Sequence, residues 1–371
     1  MIDVSMRQNI IKGGGKMKRG MLVLGLLALV IAVSGASFPS EGKAADIKLK
    51  FSNFFPATHQ YAILGQQFCD EIKKKTNGKV EMSYYPSGML TTATKVYEGV
   101  VNSVSDIGLS HVEYTRGRFP VTETLCLPMG YPSGYIATQV ANDFYDKFRQ
   151  KEWDAVHVLF FYSTGPQIIS TTKKPVKKLE DLKGLKIRAA GRPADVMKNL
   201  GGTPVPVEMA DIYDGLQRGV VDGLLSSMEV NKGWKTGELI KYATLSWPVG
   251  TTFTFYVIMN KGKWEKLPED VKKAFNEVAS QFKDKYAVAS NAIDIEGREY
   301  LKKFGGQLIP LSTEEAAKWV SAAAPTIDKH TKELEGKKYA KGDIEAYIKF
   351  IRERIVHWTK KEKELKIQTP Y

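Results

Sequence analysis

Past residue 45 the chain alternates between two hydrophobic rhythms. Ile47–Ser52 sets apolar side chains at every second position, the period of a strand. Ala62, Ile63, Leu64, Phe68 and Ile72 then recur at helical spacing, and Asn77–Gly78 supplies a left-handed stop. Val80–Tyr85 predicts a second strand, ended by Pro86–Ser87–Gly88. A helix over Thr92–Asn102 and a short strand over Asp106–Leu109 follow. This β-α-β-α-β order predicts an α/β layered sandwich. Val156–Ser163 is a strongly apolar strand leading into a second lobe that repeats the rhythm. There a strand over Leu185–Arg188 precedes a helix opened by Pro193 and stopped at Gly201–Gly202. A helix over Ile212–Arg218 and a strand over Val220–Leu225 come next, and Thr251–Met259, rich in β-branched and aromatic residues, predicts a return strand. Beyond Pro268 the pattern is helical: Pro268–Tyr286, Thr313–Ala323 and Asp343–Lys363, the last with Ile344, Tyr347, Ile348, Ile351, Ile355 and Trp358 on one face. Two crossings, near Ser163 and near Thr251, predict two lobes joined by a hinge.

Residues 1–44 stand apart. Lys16, Lys18 and Arg19 precede the apolar run Met21–Val33, followed by small residues and a cut after Ala44. That is the pattern of a secretory signal peptide, and the run falls short of the roughly 20 residues of a membrane span. Residues 1–15 are expected to be a spurious extension ahead of a start at Met6 or Met17. No cysteine follows the run, which disfavours a lipid anchor. Export predicts a periplasmic protein. Six basic and two acidic residues lie in this segment, so its removal lowers the net charge from +13 to +9.

The remaining lysines are scattered along helices rather than grouped with aromatic platforms, which excludes a nucleic-acid partner and leaves a mild bias toward anions. Cys69 and Cys126 sit in apolar segments and are expected to be buried small hydrophobes, although export permits a disulfide between them. Enzyme signatures are missing: no HExxH, GxSxG or CxxC occurs, and the five histidines show no metal-ligand spacing. Neither a cofactor nor a metal is implied.

Arg188 closes a strand just before a helix begins, where a guanidinium fork and helix N-terminal N–H groups would suit a carboxylate. Its setting, GLKIR, is followed by PVPVEMADIYDGLQRGVVDG and preceded by PATHQYA, YYPSGML and LCLPMGYP. In this order, from Ile47 to the Leu267–Pro268 step, these pieces resemble the solute-binding proteins of tripartite ATP-independent periplasmic (TRAP) transporters. The resemblance implies a two-lobed α/β fold of periplasmic-binding-protein type, with a hinge and an interlobe ligand cleft. One lobe would comprise residues 45–164 plus about 253–295, the other 165–252 plus about 296–371 with the C-terminal helices. It implies a receptor that captures an organic acid and delivers it to a membrane permease, with Arg188 gripping the carboxylate.

The chain departs from many members of that family at three places. Gln167 stands where a second arginine is common, Ser226 replaces the asparagine of a DGQEN motif, and Met209 replaces an aromatic. One carboxylate grip survives while a charge and an amide are lost, which favours a monocarboxylate with a less polar body over a sugar acid. From the first lobe Phe54, Thr92, His111 and Tyr114 are expected at the cleft, because open α/β sheets bind ligands at the carboxyl ends of their strands. Phe161, Tyr162 and Trp247 are further wall candidates. Two other functions share the scaffold: a periplasmic lyase or dehydratase, for which His111 and Glu229 are the nameable acid–base groups, and a ligand-sensing subunit. A monomer is favoured over a dimer.

Overall fold

The computed structural model describes residues 46–371, so the signal-peptide expectation lies outside the described residues. Eleven strands follow in chain order: β1 (Ile47–Asn53), β2 (Val80–Tyr85), β3 (Ile107–His111), β4 (Val156–Ser163), β5 (Ile168–Thr171), β6 (Lys186–Arg188), β7 (Thr203–Val205), β8 (Gly223–Ser226), β9 (Tyr242–Thr244), β10 (Thr254–Asn260) and β11 (Gln307–Ile309). They form two sheets, ordered β2-β1-β3-β10-β4 and β11-β9-β5-β8-β6-β7. Each sheet is mixed: β1, β2 and β3 run parallel, whereas β10 runs antiparallel between β3 and β4. In the second sheet β6 lies parallel to β7 and β8, and β5 is antiparallel to β8 and β9. The fold is the two-lobed α/β architecture expected from the strand and helix rhythm.

The helices are α1 (Gln60–Lys75), α2 (Val96–Val101), α3 (Gly134–Phe148), α4 (Arg192–Asn199), α5 (Ile212–Gln217), α6 (Val230–Gly233), α7 (Lys261–Glu265), α8 (Glu269–Lys303), α9 (Thr313–Ala323), α10 (Pro325–Gly336) and α11 (Lys341–Glu364). Helix α1 shows how pattern becomes packing. Tyr61, Ala62, Leu64, Phe68, Cys69 and Ile72 form its buried stripe against the first sheet, while Ile63 points outward. His59 caps the helix, its Nδ1 accepting the Tyr61 N–H at 3.2 Å. None of the helices among the described residues is long and apolar enough to cross a membrane.

The lobes are joined at three places rather than two. The chain crosses between β4 and β5 and again into β10, as the pattern predicts. The third connection is α8, 35 residues long. Its first part packs on α1, α3 and β4, its later part on α6, and it delivers the chain to β11 in the second sheet. A helix that long had been expected to stop near Tyr286; Ser290, Asn291 and Asp294 continue it as a buried polar stripe, which hydropathy alone does not mark as helix.

The final helix also lands elsewhere than expected. Instead of joining the second lobe, α11 lies along α3 of the first. Ile344, Ile351 and Ile355 enter the cluster of Ile136, Val140 and Phe144. Arg354 Nε and Trp358 Nε1 both donate to Asp143 Oδ2, at 2.7 and 2.6 Å. The apolar face was legible in the sequence; the surface that would receive it was not. Cys69 and Cys126 are both free and buried, in separate clusters.

Close approach of backbones positions the segment after β8 against α8. A Cβ on Gly297 would lie 2.0 Å from the Met228 carbonyl oxygen and 2.9 Å from Glu229 Cα. Neither atom can swing aside. Gly297→Ala is therefore expected to lower unfolding stability by about 1–3 kcal/mol, the usual cost of overpacking, read as a fall in Tm.

Candidate functional site

Strand ends from both sheets meet at one narrow cavity of about 20 Å³. The first lobe supplies Phe54 and Phe55 after β1, His111 at the end of β3, Tyr114 on the turn Val112–Thr115, and Phe253 and Phe255 at the start of β10. The second lobe supplies Arg188 at the end of β6, Ser226 at the end of β8, Met209, and Glu229, Val230 and Trp234 around α6. Thr164, on the β4–β5 crossing, completes the lining. That is room for about one water, so a solute enters only as the walls part.

Arg188 is fully buried. Its Nε donates to the Val207 carbonyl at 2.9 Å, and its Cζ lies 5.7 Å from the centre of the Phe253 ring. Nη1 and Nη2 have no hydrogen-bond partner among the described residues, and neither does the Tyr114 hydroxyl next to them. Burial lowers the guanidinium's pKa, but arginine stays charged. The cavity therefore holds a buried cation with two donors free. His111 stacks on Tyr114 with ring centres 3.7 Å apart. Burial, and then the Arg188 charge, push its pKa well below the ordinary histidine value, so the imidazole is neutral. A neutral histidine beside Arg188 adds no second positive charge to the cavity.

Of the residues expected from sequence, Arg188, Met209, Ser226, Phe54, His111 and Tyr114 line this cavity together. Gln167 and Thr92 do not. Gln167 is buried at the lobe crossing, its N–H donating to Thr251 O at 2.8 Å and its Oε1 accepting from Thr251 Oγ1 at 3.5 Å. Thr92 is exposed and pairs its hydroxyl with Thr94. A short 3₁₀ turn over Ala93–Lys95 replaces the start of the predicted helix and turns Thr92 outward. Phe161 and Tyr162 belong to the cores, and Trp247 stacks near Tyr371. Phe55, Thr164, Val230, Trp234, Phe253 and Phe255 complete the lining beyond the residues nominated from sequence, and Glu229, named there only as an acid–base group of the lyase reading, lines it as well. Phe253 and Phe255 are at the amino end of β10, which the carboxyl-end rule passes over; they reach the cavity because β10 runs antiparallel to β3 and sets Phe255 opposite His111, and nothing in the sequence marks Trp234.

The N-terminus of α4, expected to help bind an anion, is already taken. Glu113 of the first lobe accepts the Arg192 N–H through Oε2 at 2.5 Å. Gly191, at φ +61°, has no side chain and leaves room for that carboxylate. The Arg192 side chain reaches back to Glu123 at 2.6 Å and to Glu333 at 2.5 Å. Arg116 binds Asp195 at 2.5 Å beside them. The lobes are thus clasped by ions next to the cavity, and Glu113 in the clasp adjoins Tyr114 in the lining. Among the described residues no three His, Cys, Asp or Glu side chains converge as a metal site would require.

A hinged pair of α/β lobes closing on a buried, partly unsatisfied cation defines a ligand-binding protein of the periplasmic type. The sequence comparison agrees: residues 51–334 match the model of DctP, the bacterial extracellular solute-binding protein family 7. The chain belongs to that family. A TRAP periplasmic solute-binding protein from Desulfovibrio salexigens shares 30% identity and a TM-score of 0.75, covering 85% of this chain and 97% of that one. A second TRAP protein, from Bordetella bronchiseptica with (R)- and (S)-mandelate bound, is 25% identical with a TM-score of 0.77, covering 84% and 99%. The C4-dicarboxylate-binding periplasmic protein DctP of Vibrio cholerae is 24% identical over 329 residues, 83% of this chain and 94% of that one. This is a family of solute receptors, not of enzymes, and the lyase or dehydratase reading has no support in it.

Burial and the neighbouring Glu123 carboxylate raise the Glu113 pKa to about 8, against the pull of Arg192, with Cys126 also beside it. Unfolded, the group would titrate near the ordinary value of about 4.3. The folded state therefore binds the extra proton. The stability linked to Glu113 is complete below about pH 4.3 and is lost as pH rises through about 8. In urea melts at pH 5, 6.5 and 8.5, Glu113→Gln should lose less stability across the range than the wild type.

Proposed function

We propose that this protein is the periplasmic receptor of a TRAP transporter for a small monocarboxylate with an apolar, ring-sized body, which it delivers to a membrane permease. The observation that carries the reading is Arg188, wholly buried and with both terminal nitrogens unpartnered, facing an aromatic-walled cavity. A carboxylate engaging Nη1 and Nη2 as a bidentate pair would satisfy both donors and neutralise the charge.

A monocarboxylate suits the charges better than a dicarboxylate. Arg188 is the one cation lining the cavity among the described residues, and Glu229 would repel a second acid group. The walls, with Phe54, Phe55, Trp234, Phe253 and Phe255, would bury a flat apolar body rather than a row of hydroxyls. The mandelate found in the Bordetella relative is an acid of this kind. A ligand touching Tyr114 and Phe54 from one lobe and Arg188 from the other favours the closed form, because it gains contacts available only on closure.

Isothermal titration with benzoate, phenylacetate, mandelate, succinate and glucuronate tests the reading. An aromatic monocarboxylate should bind, and Arg188→Ala should weaken it at least about a hundredfold, since two charge-assisted hydrogen bonds of about 1.5–3 kcal/mol each are lost. Equal binding by wild type and variant would remove Arg188 from the grip. Tight binding of succinate alone would overturn the monocarboxylate.

A further inference from the structure

The ionic clasp beside the cavity is one cation short. From the first lobe Glu113, Arg116 and Glu123 face Arg192 and Asp195 on α4 of the second, with Lys329 and Glu333 of α10 beside them. Four carboxylates thus meet three cations, and the pairing shows which acid is left over. Arg192 spends its guanidinium on Glu123 and Glu333, with Asp195 at 3.9 Å. Arg116 takes Asp195 and lies 3.6 Å from Glu333, while Lys329 binds Asp195 at 2.7 Å. Glu113 has no ion pair among the described residues.

Glu113 is also the acid that closure covers. It is 3% exposed; its Oε2 accepts the Arg192 backbone N–H, and its Oε1 has no hydrogen-bond partner among the described residues. The cover comes from the second lobe. A Cβ on Gly191 would lie 2.6 Å from Glu113 Cβ, so the start of α4 presses directly on this side chain. A pocket of about 380 Å³, lined by Glu113, Arg116, Gly191 and Ala194, opens on the same seam. Parting the lobes there brings water to the carboxyl.

Nothing else packed against Glu113 answers a charge on Oε1. Burial, and then Glu113 itself, push the Cys126 thiol up, so it stays neutral. Burial also raises the Tyr114 phenol, which is uncharged. His330, bonded to Thr124 Oγ1, is neutral as well, its pKa brought down to about 3 by burial and the nearby arginines. Glu123 is a further acid, and it disfavours a charge on Glu113. Glu152 bonds Val121 and Thr122 inside the first lobe, so closure leaves its partners unchanged. A carboxylate answered by one N–H is costly to bury, and its neutral form is much less so. With the lobes apart, water solvates the charge and the group is an ordinary carboxylate.

We propose that closing the lobes takes up one proton, held on the Glu113 carboxyl, so that proton concentration sets how firmly the receptor shuts over its solute. Acid favours the closed form and alkali the open one, because the proton binds well only when the lobes are shut. Neither the Arg188 grip nor the identity of the solute enters into this coupling. The raised closed-state pKa of about 8 puts the loss of closure between about pH 7 and 8.5. That range lies above the ordinary histidine value of about 6.5, so His111 gives up no proton on closing.

The test follows solute-free protein by energy transfer between dyes on Lys95→Cys in the first lobe and Lys198→Cys in the second. Both lysines are exposed, whereas the native Cys69 and Cys126 are buried. In the otherwise wild-type chain the ratio of closed to open should fall about fivefold or more from pH 7 to 8.5. Glu113→Gln, fixed in the neutral form, should hold a constant ratio close to that of the wild type at pH 7. A wild-type ratio that is the same at both pH values overturns the proposal, and that result needs no variant at Glu113. A fall that survives in Glu113→Gln overturns it too. The proton would then belong to another contact between the lobes, such as His59 with Glu229, and His59→Asn would abolish the fall.

Discussion

A cation placed where water cannot reach it is the constraint around which this molecule is organised. Burying a guanidinium is costly unless its charge and donors are answered. Arg188 is answered only in part: a carbonyl takes Nε, an aromatic ring lies across the group, and no carboxylate among the described residues pairs with it. The neighbouring His111 adds no charge of its own, because burial and Arg188 hold it neutral. On the proposed reading that deficit is what selects an anion, and the first-lobe wall over Arg188 links recognition to the meeting of the lobes.

Closure in turn has its own chemistry, set beside the cavity rather than inside it. Glu113 of the first lobe lies on the first turn of α4 in the second, while Arg192 grips Glu123 and Glu333. His59 reaches Glu229 from the other side. Glu113 and Tyr114 are consecutive on one short turn, so the cavity lining and the clasp share one piece of backbone. An anion-binding helix end would have been the simpler design. Here the protein's own Glu113 uses that end, which on the proposed reading leaves the solute to the arginine.

Much of this was legible one residue at a time. The period-2 and helical patterns located the strands and most helices, the glycine stops marked their ends, and the motif around Arg188 pointed to the buried arginine that lines the cavity. Phe54, His111 and Tyr114 followed from the rule that ligands meet strand ends. Thr92 failed because that rule gives position along the chain and not direction: a three-residue 3₁₀ turn was enough to send the side chain to solvent. Gln167 failed because it sits at the lobe crossing, where its amide meets Thr251 rather than the cavity.

By itself the sequence determined local structure, the family and which arginine to propose as the grip, because each depends on residue type and short-range order. Only the tertiary structure decided what surrounds that grip. Trp234, Phe253 and Glu229 come together from segments far apart in the chain, and their juxtaposition follows from where α6 and β10 pack. The same holds for α11, whose apolar face was plain while the surface it covers, on α3, was not. Hydrophobic pattern says that a face must be buried; which other face buries it is set by the packing of the whole chain.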